Sequence, residues 1–95
     1  MDLEPQIIEK IKSLACAYPK IKSLILFGSR AKGTAKNGSD IDLATVGDEI
    51  GFRDLCAFGA KLDELELPYK IDIVNYSSIA NQALKEHIDR VGVVL

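Results

Sequence analysis

Two hydrophobic periods alternate along this chain, and the switches between them outline its elements. Ile7, Ile8, Ile11, Leu14, Ala15 and Tyr18 recur at helical spacing. Pro5 suits a first turn and Pro19 lies beyond the end, which predicts an amphipathic helix over residues 5–17. Lys22 to Phe27 is a short, almost fully apolar run before Gly28, the pattern of a buried central strand covered on both faces. Ser29 to Lys32 fits one helical turn with Gly33 as its left-handed stop, and Thr34 to Ser39, with its Asn-Gly pair, reads as a loop. Asp40 to Val46 restarts as a strand. Phe52, Leu55, Cys56, Gly59, Leu62 and Leu65 outline a helix from 51 to 66, closed by Pro68. Lys70 to Asn75 is a third strand. After Ser77 and Ser78, expected as helix caps, Ile79, Ala83, Leu84, Ile88 and Val91 mark a last helix. The apolar tail VGVVL is open to three readings: an extra strand, a helix end tucked into the core, or a sticky patch for a partner.

The resulting order, helix, strand, turn, strand, helix, strand, helix, predicts an α/β (α+β) fold with a small mixed β-sheet flanked by helices. The link between the first two strands is too short for a crossover helix, so an all-parallel sheet is not expected. A chain of 95 residues has room for one core, and residues 1–95 read as a single domain.

Charge and composition narrow the classes. No apolar run approaches the roughly 20 residues a bilayer span needs, and the acidic start, MDLEPQIIEK, is unlike a signal peptide, so a cytoplasmic protein is expected. A net charge of −2 argues against a dedicated nucleic-acid binder. The average conceals an asymmetry: Lys20, Lys22, Arg30, Lys32 and Lys36 share a window without an acid, whereas Asp40 to Asp72 is predominantly acidic. A basic loop facing an acidic strand suits a polyanion held with divalent cations. Cys16 and Cys56, alone in apolar helical patterns, read as buried free thiols.

The acids carry the chemistry. A side-chain period of two puts Asp40 and Asp42 on one face of the second strand, and Asp72 interrupts the aliphatic run of the third. A carboxylate buried ionised and unpaired costs several kcal/mol, so acids on a core sheet imply a compensating cation. Hard oxygen ligands suit Mg²⁺ or Mn²⁺, whose shells are completed by water and substrate phosphates. One histidine and two scattered cysteines are too few for a zinc site. Gly28 and Ser29 supply the matching half: a glycine lets backbone approach a phosphate, and the turn after it offers free N–H groups and a hydroxyl. Arg30 and Lys32 are the candidates for neutralising phosphate charge. Gly-Ser followed at one fixed spacing by Asp-x-Asp arises by chance at a frequency on the order of 10⁻³ in such a chain, which favours a functional reading.

The stretch GSRAKGTAKNGSDIDL resembles the signature of the polymerase-β-type nucleotidyltransferase superfamily, and the short chain is similar to its minimal nucleotidyltransferase (MNT) branch. The resemblance spans nearly the whole chain. It implies a nucleotidyltransferase fold, with Gly28 and Ser29 on the nucleotide triphosphate and with Asp40 and Asp42 binding two Mg²⁺ ions. Asp72, in KIDIV, matches the third carboxylate. The implied reaction moves a nucleoside monophosphate, AMP from ATP by precedent, onto an acceptor hydroxyl. Larger relatives append a domain for the base or acceptor, so here the acceptor is expected from a partner. MNT proteins resemble antitoxins paired with small helical HEPN proteins, which makes a HEPN-type protein, and a tyrosine hydroxyl on it, the implied acceptor in a homo- or hetero-oligomer. Two other readings stand beside this one: an antitoxin acting by steric blockade, and transfer to a small molecule. His87 reads as solvated or capping, Tyr69 and Tyr76 as aromatics packed at the sheet edge, and Tyr18 as core.

Overall fold

Pro5, with its fixed φ and missing N–H, opens helix α1 (Pro5–Ala15), which buries Ile7 and Ile11, one turn apart. The computed structural model describes residues 2–36 and 38–95; Asn37, first of the Asn-Gly pair expected to turn the loop, lies outside them. After α1 come strand β1 (Ile21–Phe27), the short helical turn α2 (Ser29–Lys32), β2 (Ile41–Gly47), α3 (Phe52–Asp63) and β3 (Ile71–Asn75). A 3₁₀ turn at Tyr76–Ser78, α4 (Gln82–Val91) and β4 (Val93–Val94) complete the chain.

The strands form one sheet in the order β3-β2-β1-β4. β1 is antiparallel to β2 and to β4, and β2 is parallel to β3, so the sheet is mixed as the short β1–β2 link requires. Parallel neighbours need the chain to cross back over the sheet, and α3 is that crossover. One face of the sheet presents Leu24, Leu26, Ile41 and Leu43 to Ile7 and Ile11 of α1 and to Phe58 and Leu62 of α3, which together make the main core. The other face is thinner: Phe27 and Ala44 pack with Ile88 of α4. Beyond them the start of β2 and β3 stays partly exposed, and there the acids stand. Among the described residues no helix is long and apolar enough to cross a membrane.

Several local expectations are corrected. The buried stripe of α3 is Phe58 and Leu62, flanked by half-buried Leu55 and Leu65, whereas Phe52 is 80% exposed. At roughly 100° per residue, Phe52 and Cys56 stand about 100° or more from the centre of that stripe. Cys56 is therefore exposed, and so is Cys16, which sits past the last turn of α1. The cap of the last helix is Asn81, whose side-chain oxygen accepts from Leu84 N at 3.2 Å, while Ser77 and Ser78 belong to the 3₁₀ turn. Asn81→Ala is expected to cost about 1 kcal/mol, a fall in melting temperature of roughly 4–8 °C by thermal denaturation. The tail takes the first of its three readings: Val93 and Val94 pair with Leu26 and Ile25.

Candidate active site

The β-sheet register brings two of the acids face to face. Asp42 is the partner of Phe27 on one side and of Asp72 on the other, so the two carboxylates leave the same face of adjacent parallel strands. Asp40 lies one residue before β2, not within it, and is exposed. Burial first, then the negative charges of Asp72 and Asp40, push the Asp42 carboxyl above its ordinary value, and His87 acts in the opposite sense. Asp72 has Lys70 Nζ at 3.5 Å from its Oδ1, an exposed pair that contributes little.

His87, expected as solvated or capping, is instead half-buried beside the acids. Its ring meets Phe27 edge-on, with centroids 6.2 Å apart and planes at 81°, which sets the imidazole at the border of the acid group. The signal was available: His87 lies three residues after Leu84 and four before Val91, on the inward stripe of α4.

Gly28 joins the acids to the turn. Its φ of 76° and ψ of −157° lie where only glycine settles without strain, and a Cβ there would stand 2.5 Å from Asp42 Oδ2. The backbone at Gly28 thus lies directly against the Asp42 carboxylate. Lys32 N donates to Gly28 O at 3.2 Å and Thr34 N to Ser29 O at 3.0 Å, and Gly33 takes the left-handed conformation expected of the stop. Backbone bonds close the turn at Ser29.

Of the two cations expected on phosphate, Lys32 is exposed at the end of α2. Arg30 differs from that expectation: the residue is 6% exposed and its guanidinium is turned onto the carbonyls of Asp2 and Ser39. The direction of a side chain on a four-residue turn depends on where the following loop returns, which no local pattern fixes. The cleft of about 510 Å³ beside it is lined by Asp2, Lys36, Pro68 and Tyr69 and by none of the three acids.

Among the described residues no three acid, histidine or cysteine side chains are gathered into a ready-made metal cage. The site offers a mutually repelling carboxylate pair with a third acid near it. Magnesium is commonly held by one or two carboxylates, its remaining positions taken by water and phosphate oxygens, so these residues fit a cation shared with a substrate and not an all-protein site.

A glycine-led turn after β1 is thus set against Asp42 on the neighbouring strand β2, with Asp72 beside it on β3. Residues 9–95 match the family model described as Polymerase beta, Nucleotidyltransferase, and the chain belongs to that family. It is a nucleotidyltransferase. It is 33% identical over 86 residues to a Methanocaldococcus jannaschii protein named "Putative protein adenylyltransferase", covering 88% of this chain and 86% of that one. It is 27% identical over 96 residues to the Haemophilus influenzae "Probable protein adenylyltransferase MntA", covering all of this chain and 83% of that one. A crystal structure of a toxin–antitoxin with AMP-PNP is similar at a TM-score of 0.75 and 27% identity, over 90% of this chain and 69% of that one.

Proposed function

We propose that this protein is a cytoplasmic antitoxin that transfers AMP from ATP to a hydroxyl, notably a tyrosine, of a HEPN-type helical partner in a magnesium-dependent reaction. The observation that carries this is the register that sets Asp42 opposite Asp72 while Gly28 lies against the Asp42 carboxylate. The names of the two curated relatives support a protein acceptor, and the nucleotide in the toxin–antitoxin crystal supports ATP. The HEPN class of the partner comes from the resemblance of GSRAKGTAKNGSDIDL.

In this reaction the acceptor oxygen bonds to the α-phosphorus of ATP, the bond to the bridging oxygen of the β-phosphate breaks, and pyrophosphate leaves. Ser29 and the first N–H groups of α2 hold the triphosphate, and Gly28 allows its close approach. Asp40, Asp42 and Asp72 would hold magnesium. When bound, it neutralises charge developing on the attacking and leaving oxygens. Asp72, which the register places beside Asp42, orients the acceptor hydroxyl and takes its proton. Asp72→Asn is therefore expected to lower turnover by about tenfold or more with folding intact; unchanged turnover would make Asp72 structural.

Incubation with each labelled NTP and Mg²⁺, with and without the helical partner, tests the whole reading. Label from ATP on the partner supports it. No labelled protein with any NTP, together with no partner in a pull-down, overturns it. Neutralisation of the toxin by a protein carrying both Asp40→Asn and Asp42→Asn would show that blockade suffices.

A further inference from the structure

Among the described residues Arg30 is the one charged side chain that is buried. Nε and Nη2 both donate to Ser39 O, at 3.1 and 2.7 Å, and Nη1 donates to Asp2 O at 2.8 Å. The guanidinium plane lies 4.1 Å over the ring of Tyr69. Its partners are neutral carbonyls and an aromatic face. A desolvated cation held this way is a poor device for stability alone, since an apolar side chain of similar volume serves a core as well or better.

What the fork does connect is informative. Arg30 follows Ser29 in the turn of the phosphate corner, and Ser39 precedes Asp40, the first acid. Between them runs a loop whose other ties among the described residues include Thr34 N to Ser29 O at 3.0 Å, Ala35 N to Asp2 Oδ2 at 3.2 Å, Lys36 N to Ser39 Oγ at 2.8 Å and Ser39 N to Lys36 O at 3.0 Å. Two nitrogens of one planar group on a single carbonyl oxygen fix direction as well as distance, which a lysine cannot do. Tyr69, under the same plane, lies three residues before Asp72.

We infer that Arg30 is a positioning residue: it sets the separation between the Gly28–Ser29 corner and the acids entering β2 and β3, and contacts no substrate. This rests on the nucleotidyl-transfer reading for its purpose, though not for its geometry. Arg30→Met keeps the volume and Arg30→Lys keeps the charge. In both, ¹⁵N relaxation is expected to show order parameters at Ser39 and Asp40 falling from about 0.85 to below about 0.6. Electron paramagnetic resonance with Mn²⁺ and ATP is expected to show half-saturation at about tenfold higher Mn²⁺, with Arg30→Lys recovering only part of the loss. Order parameters unchanged and Mn²⁺ affinity within about twofold of wild type in both variants would overturn the inference. Should Arg30→Met not fold, Arg30→Lys and Tyr69→Leu decide on the same two readouts. If wild type binds no Mn²⁺ with ATP, the nucleotidyl-transfer reading fails, and the order parameters alone decide the positioning role.

Discussion

Asp42→Asn is expected to lower nucleotidyl transfer by about 10³-fold or more while raising the melting temperature. The loss follows from removing the acid that stands between Gly28 and Asp72, where a cation and a phosphate would meet. The gain follows from the same crowding. Burial and the neighbouring acids raise the Asp42 carboxyl above its ordinary 3.8, so the folded protein holds this proton more tightly than the unfolded chain does. Stability from that proton is complete below the unfolded value and lost as pH climbs through the raised folded one. At pH 7 the ionised group therefore works against the fold, and an amide of the same shape does not. Because the carboxylate is only partly buried, solvent screens the effect and the rise in melting temperature is small. The difference in melting temperature between variant and wild type should widen as pH rises from below 3.8, and added Mg²⁺ should narrow it by stabilising wild type alone. A variant that melts lower, or still transfers nucleotide, contradicts this account.

Gly28→Ala is expected to fail twice. The backbone there pairs a positive φ with an extended ψ, which costs a residue with a Cβ about 1–3 kcal/mol. The new methyl would also overlap Asp42 Oδ2 and displace the carboxylate or the turn. A shift of about 1 Å at a reacting centre costs roughly 10²-fold in rate, so transfer should fall by that much or more beside a drop of roughly 4–8 °C per kcal/mol. Gly33→Ala is the control. Gly33 also has positive φ, but in the ordinary left-handed well and with no atom within 4 Å of a Cβ, so about 1–2 kcal/mol should be lost with transfer intact. Equal activity losses in the two variants would show that backbone strain, and not the approach to Asp42, limits the site.

Gly28, Ser29 and Asp42 are legible in the sequence because acids inside an apolar strand, after a glycine that ends another, are a local anomaly that needs no partner to be noticed. Asp72 stands out in the same way in KIDIV, but its place opposite Asp42 depends on register, which the strand pattern leaves open. Arg30 looks like any loop cation until the return of the loop puts Ser39 beside it. His87 sits on an inward stripe whose apolar members draw the eye first. Ser77 and Ser78 compete with Asn81 as caps at nearly equal local merit, and only the docking of α4 chooses. The slip in α3 has a related cause: Phe52 and Phe58 are both credible anchors, and the sheet selects Phe58.

The α3 crossover has a consequence for biosynthesis. Positions 42 and 72 become neighbours only when β3 has closed against β2, the most sequence-distant strand pairing at the acids. A nascent chain that has emerged as far as α3 already displays the Gly28–Ser29 corner and the Asp-x-Asp segment, yet it has no opposed acids. A fragment stalled before β3 emerges lacks the opposed pair and is expected to be inert.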